Sequence, residues 1–194
     1  MKKYDLVLAS SSPRRKTLLQ EAGARFIVSA PELDEEFHPD LSPESNTQNT
    51  AMDKAKAVCG LYPDDPVLAA DTIVALDGEV IGKPTSEEEA ERMLQSLSGR
   101  EHSVVTGVAL AHQGRGVYWK SSVVSKVRFK TLPQPWIREY VAGGEPMDKA
   151  GAYAIQGGAA AWIESYSGSY TNIIGLPMEK VREVMAEFGY DIFS

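Results

Sequence analysis

The chain alternates between two periods. An apolar run from Leu6 to Ala9 reads as a strand, and the residues after it switch to helical spacing. Leu18, Leu19 and Ala22 give that helix an apolar face, with Ser12 at the N-cap position, Pro13 as its first residue and Gly23 at its end. Phe26 to Ser29 predicts a second strand, and the stretch PELDEEFHP (31–39) an acidic loop. Ser42-Pro43 opens a helix that runs to about Cys59 and stops near Gly60. VLAADTIVAL (67–76) is nearly continuous in apolar residues, as a strand covered on both faces is, and Asp77-Gly78 predicts a tight hairpin into EVIG. A helix is expected over Thr85 to Leu97, with Ser86 as cap and Glu89 completing a capping box. Ser103 to Ala111 and Val117 to Phe129 read as paired strands joined by the polar turn HQGRG. A short helix follows over Pro135 to Ala142, and a last one over Pro177 to Phe188 ahead of Gly189. The glycine-rich stretch from Ala150 to Tyr170 suggests strands that approach something closely. No internal repeat and no low-complexity tail interrupts the pattern, and strands alternating with helices predict an α/β architecture.

Composition narrows the field without selecting a function. At 194 residues, 43% hydrophobic and 24% charged, the chain has the make-up of an ordinary globular protein, and the expectation is a single domain over residues 1–194. A net charge of −7 disfavours nucleic-acid or membrane-surface binding, although a small anion can still be held where basic residues gather. No stretch has the length and apolarity of a membrane span. Cys59 is the only cysteine, which excludes an intrachain disulfide. Together with an N-terminus that does not read as a signal peptide, this predicts a cytoplasmic protein. His38, His102 and His112 lack metal-ligand spacing and read as surface or strand residues.

Candidate chemistry begins with SSSPRR. Arg14 and Arg15 fall in the first turn of a helix, whose end carries about half a positive charge and disfavours cations by roughly 0.3–1 kcal/mol each. Either they are surface arginines, or an anion sits on the helix end beside the serine hydroxyls and two guanidinium forks. Asp71 interrupts an apolar strand, where a carboxylate costs several kcal/mol unless it is paired, hydrogen-bonded or metal-bound. It reads as a catalytic or metal-binding group, against the alternative of a structural Asp tied to backbone or arginine. Glu32, Asp34, Glu35 and Glu36 form either a solvated loop or, through one member meeting Asp71, a site for a hard cation. Lys54 lies on a helix and Lys83 in GKP after the hairpin; each points either to water or inward. Gln156, in AIQGG, carries an amide suited to reading a base edge, or is a hydrogen-bonded strand residue.

Five stretches taken in order, LASSSPRRKTLL, AADTIVALDGEVIGKP, LSGREHSVVTGV, DKAGAYAIQG and GSYTNIIGLP, resemble the Maf family of nucleotide pyrophosphatases over nearly the whole chain. Arg15 after SPR, Thr72 after Asp71 and Gln156 in AIQG resemble the branch that hydrolyses dTTP and UTP, and not the branch acting on 7-methyl-GTP. The resemblance implies an elongated mixed β-sheet flanked by helices, with two lobes around a central cleft, like that of inosine triphosphate pyrophosphatases. It implies hydrolysis of a nucleoside triphosphate to the monophosphate and pyrophosphate. Asp71 matches the family's proton acceptor; Arg15, Thr72 and Gln156 match its specificity positions; Ser10, Arg14, Lys54 and Lys83 match positions that hold the phosphates. Glu35 matches an acidic position near the metal, so that Asp71 and Glu35 would hold a divalent cation, Mg²⁺ or Mn²⁺. The partners implied are the nucleotide and a second copy of the chain as a homodimer. Rival readings are a pyrophosphatase for another modified nucleotide and a nucleotide-sensing regulator of septum formation. An intact Asp71 beside phosphate-holding cations favours an enzyme.

Overall fold

The computed structural model describes residues 3–33 and 37–193. Among them are seven strands: β1 (Leu6–Leu8), β2 (Phe26–Val28), β3 (Val67–Leu76), β4 (Glu79–Ile81), β5 (Glu101–His112), β6 (Val117–Phe129) and β7 (Ile163–Ser167). The α-helices are α1 (Pro13–Glu21), α2 (Pro43–Cys59), α3 (Glu87–Leu97), α4 (Gln134–Ala142), α5 (Tyr170–Ile174) and α6 (Met178–Glu187). The strands form one mixed sheet in the order β2-β1-β3-β5-β6-β7, with β4 paired to β3. β1 is parallel to β2 and β3, whereas β3–β4 and β6–β7 are antiparallel. The expected α/β class with a mixed sheet and flanking helices is the observed one.

The chain divides into two compact units. The first comprises residues 1–71, 106–123 and 175–194; the second comprises 72–105 and 124–174. β3, β5 and β6 each begin in one unit and end in the other.

In the first unit, one face of α2 packs on the sheet. Ala51, Met52, Ala55, Val58 and Cys59 meet Val7 and Ala9 of the β1 segment, Val67 and Ala69 of β3, and Ala109 and Ala111 of β5. Most of these side chains are small, so helix and sheet lie close. Gly107 shows how close: a Cβ there would overlap the backbone of Thr47 in the first turns of α2. Ser42 caps α2, accepting from the Ser45 N–H at 3.2 Å, and Pro43 is its first residue.

In the second unit, α3 starts at Glu87, two residues later than expected, because Ser86 is its cap and accepts from Glu89 N–H at 3.2 Å. Glu89 reaches back to the Thr85 N–H at 2.7 Å, one residue upstream of the cap that a capping box would close on. Asp77 and Gly78 both take positive φ, 52° and 88°, as the hairpin β3–β4 requires.

The segment 150–170 departs most from expectation. It holds short 3₁₀ turns at Ala150–Ala152 and Ala160–Trp162, an irregular turn over 155–159, a single strand, β7, and the start of α5. Gly151 has φ 69°, outside what a strand allows, and a Cβ on it would run into Val74. The close approach that the glycines announce is real, but it is made by turns.

His102, on β5, is 3% exposed, packs on the Phe129 ring and shares a 2.7 Å hydrogen bond between Nε2 and the Tyr153 hydroxyl. Its Nδ1 has no partner. Burial pushes the imidazole down to about 4 from its usual 6.5. An unfolded chain therefore takes up this proton below about pH 6.5, while the folded one resists until near 4. Stability falls as pH falls through that window, by about 1.4 kcal/mol per unit and about 3 kcal/mol at most. Urea denaturation at pH 7 and pH 5 is expected to show His102→Gln losing less stability between the two than wild type does. Equal losses would remove His102 as the cause.

Candidate active site

Two groups of side chains lie in the first unit. The loop from β1 into α1 supplies one. Ser10 is buried, and its Oγ accepts from the Ser12 N–H at 3.2 Å and from Arg15 Nη1 at 3.1 Å. Arg15 also donates through Nε to the Gly175 carbonyl at 2.8 Å, so its guanidinium is held from two sides. Ser12 stands at the N-cap of α1 as expected, yet its side chain accepts no capping bond; Ser10 two residues earlier ties the loop instead. Arg14 is half-buried in the first turn of α1, and that turn contains no acidic residue.

The second group is an ion pair. Lys54 Nζ and Asp71 Oδ1 lie 2.9 Å apart, with side chains only 11% and 12% exposed. Both periodicities explain the meeting. On α2, Lys54 falls in the stripe Thr47, Ala51, Lys54, Val58, every member of which is buried. On β3, Val67, Ala69 and Asp71 share the face that α2 covers. Lys54 thus occupies a core position and resolves its ambiguity by pointing inward. The parallel register sets Leu8 opposite Leu68, and Ala9 N–H donates to the Leu68 carbonyl at 2.8 Å. Ser10 is therefore level with Ala70, one strand away from Asp71's neighbour. Ser10 and Arg15 thus follow the carboxyl end of β1, where open α/β sheets bind ligands, and the Lys54–Asp71 pair joins α2 to β3, the strand beside β1.

The remaining expected positions lie in the second unit or outside the described residues. Thr72 follows Asp71 on β3, where strand alternation turns its side chain to the opposite face. Lys83 is exposed in the loop after β4, and the Gly151 N–H donates to the neighbouring Gly82 carbonyl at 2.9 Å. Gln156 is exposed in the 155–159 turn and not in a strand, which removes the strand alternative. Glu35 lies outside the described residues. Among the described residues no group of three or more His, Cys, Asp or Glu side chains could hold a metal ion.

Contacts that the sequence did not announce surround Gln156. The Tyr140 hydroxyl donates to Glu145 Oε1 at 2.8 Å, and the same carboxylate accepts from the Gly158 N–H. Gly175, whose carbonyl holds Arg15, was legible only as one glycine in NIIGLP; its φ of 126° bars other residues.

The family profile described as Maf-like protein matches residues 5–188. The chain belongs to this family. Among curated proteins, this Maf-like chain is 51% identical over 190 residues to a dTTP/UTP pyrophosphatase of Symbiobacterium thermophilum, covering 97% of this chain and 96% of that one. It is 49% identical over 181 residues to a protein of the same name from Geobacillus sp., covering 92% and 96%. Among solved structures, a HAM1 protein from Coxiella burnetii is similar in fold, with a TM-score of 0.54, 19% identity and coverage of 94% and 98%.

Proposed function

We propose that this Maf-like protein hydrolyses dTTP and UTP to the monophosphate and pyrophosphate. The observation that carries the proposal is the buried Lys54–Asp71 pair beside the Ser10–Arg15 loop, in a chain about half identical to proteins named for that activity. Water attacks the α-phosphorus in line, a new P–O bond forms, and the bond from the α-phosphorus to the bridging oxygen breaks as pyrophosphate leaves. Asp71 accepts the proton of the attacking water. Ser10, Arg14, Lys54 and Lys83 hold the phosphates and take up charge developing on the leaving group. The two arginines in the first turn of α1 then answer to a polyanion, which the helix end and the guanidinium forks attract together.

Arg15, Thr72 and Gln156 select the base, with Gln156 donating to one carbonyl of uracil or thymine and accepting from N3–H. A divalent cation, Mg²⁺ or Mn²⁺, would be held by Asp71 and Glu35 together with substrate oxygens. Hard cations of this kind are bound through one or two carboxylates plus phosphate, so an oxygen donor such as Asp71 suits them. Bound there, it would supply charge compensation to the phosphates. Residues 1–194 are read as one catalytic domain, supported by the three strands that both units share.

The test is pyrophosphate release from a panel of nucleotides with Mg²⁺ or Mn²⁺. UTP and dTTP are expected to be turned over in preference to GTP. Gln156→Glu lacks the donor that a pyrimidine carbonyl needs but can accept from the guanine N1 and N2 groups. It is expected to lower kcat/KM for UTP and dTTP by at least about tenfold, with GTP falling less or rising. An unchanged pyrimidine-to-guanine ratio would count against base reading by Gln156.

A further inference from the structure

The turn that carries Gln156 has little to hold it by its own side chains. Gly157 and Gly158 follow it directly, and glycine backbone has the most freedom to lose on ordering. Its backbone closes through the Gly157 N–H to the Ala154 carbonyl at 3.2 Å and the Ala160 N–H to the Gly157 carbonyl at 3.0 Å, and two side chains of the second unit tie it from outside. Tyr140, near the end of α4, donates its hydroxyl hydrogen to Glu145 Oε1 at 2.8 Å and accepts from the Ala154 N–H at 3.4 Å. Glu145 accepts from the Gly158 N–H through both oxygens, at 3.2 and 3.1 Å. Ala154 and Gly158 stand two residues on either side of Gln156, so one Tyr–Glu pair brackets the amide. The fit has no slack. A Cβ on Gly157 would overlap the Glu145 carboxylate, and one on Gly158 would come within 3.0 Å of the Tyr140 ring.

The pair is itself anchored. Tyr140 stacks on Trp136, with centroids 4.9 Å apart and planes inclined by 12°. Lys149 Nζ donates to the Glu145 carbonyl at 2.5 Å and to Asp148 Oδ1 at 2.6 Å. Burial first, and then the neighbouring Glu145 carboxylate, raises the Tyr140 phenol well above its usual range, so the hydroxyl stays a donor at any working pH.

We propose that Tyr140 and Glu145 are positioning residues that set base selection by holding the Gln156 turn in register with the nucleobase. This rests on the reading of Gln156 as the base-recognising group. Neither residue touches the phosphates in that reading, so hydrolysis as such does not depend on them. What depends on them is the alignment of two hydrogen bonds to one base edge, and misplacement of such groups by a fraction of an ångström loses discrimination.

The test compares kcat/KM for UTP and GTP in the full-length protein. Tyr140→Phe keeps the ring on Trp136 and removes both hydroxyl hydrogen bonds. It is expected to lower the UTP-to-GTP ratio by about tenfold, chiefly through a higher KM for UTP, with GTP turnover unchanged. Glu145→Ala is expected to lower the ratio at least as far. Glu145→Gln is expected to restore most of it, because its amide oxygen can still accept from Tyr140 and Gly158 at the Oε1 position. Adding Gln156→Glu to Tyr140→Phe is expected to change the ratio by less than it does alone. If Glu145→Ala does not fold, Tyr140→Phe and Glu145→Gln carry the comparison. Should Gln156→Glu move the ratio while Tyr140→Phe does not, the positioning role is overturned and the reading of Gln156 stands. Equal loss on UTP and GTP in Tyr140→Phe also overturns it, as a general structural defect. If Gln156→Glu itself leaves the ratio unmoved, the base-reading assignment falls and the positioning role with it.

Discussion

Asp71→Asn is expected to cut pyrophosphate release from UTP by about 10²–10⁴-fold while leaving the circular dichroism spectrum unchanged, the range for loss of a general base. The substitution suits the site. Asn matches Asp in shape, and its carbonyl oxygen can still accept from Lys54 Nζ, so the buried ammonium keeps a hydrogen bond at the position now 2.9 Å away. What disappears is the ability to take a proton from water and the charge that would help hold a cation. Those two contributions separate in a metal titration: loss of the cation-holding charge raises the metal concentration needed for metal-dependent nucleotide binding, whereas loss of the base alone leaves it unchanged and removes turnover. Turnover within a few-fold of wild type, in a protein with a normal spectrum, would take the base role away from Asp71.

Asp71 was legible in the sequence for a physical reason that the structure bears out. A carboxylate in VLAADTIVAL must be satisfied, and the partner is Lys54. The partner was less legible, because lysines on helices usually reach water. The spacing Thr47, Ala51, Lys54, Val58 was nevertheless in the sequence and marks a buried stripe. α2, β3 and β6 emerge where caps, hairpin turns and long apolar runs agree. β6 spans Val117–Phe129 as expected, whereas β5 extends beyond its expected ends to Glu101 and His112. The 150–170 segment was misjudged because small residues carry no period. Alanine and glycine suit a strand packed against a neighbour as well as a turn seated on a carboxylate, and the positive φ of Gly151, Ala152 and Gly168 is what departs from a strand. The same ambiguity hid the surroundings of Gln156. Its amide could be read for its donors and acceptors, but Tyr140 and Glu145 reach the turn through side-chain hydrogen bonds that leave no periodic trace. Glu35, drawn from an acidic run, falls outside the described residues and keeps its place as a proposal only.

The Lys54–Asp71 pair also makes a prediction about stability that is independent of the nucleotide. Two side chains almost wholly withdrawn from water bear opposite charges at 2.9 Å, and the Lys54 ammonium compensates the Asp71 carboxylate. Such pairs contribute little relative to well-packed apolar residues, but removing one member strands the other's charge at a cost of about 3–5 kcal/mol. Lys54→Met keeps most of the apolar stem that packs between Ala51 and Val58 and deletes the ammonium. Urea denaturation at neutral pH is expected to show Lys54→Met destabilised by about 3 kcal/mol or more. The double variant Lys54→Met, Asp71→Leu is expected to regain most of that stability while remaining inactive. The contrast separates support of α2 on the sheet by the pair from the proposed roles of Lys54 as a phosphate cation and Asp71 as a proton acceptor, which a single substitution would confuse. A loss below about 1 kcal/mol in Lys54→Met would mean that water reaches the carboxylate and compensates it. Lys54 would then not be what holds the Asp71 carboxylate in the core.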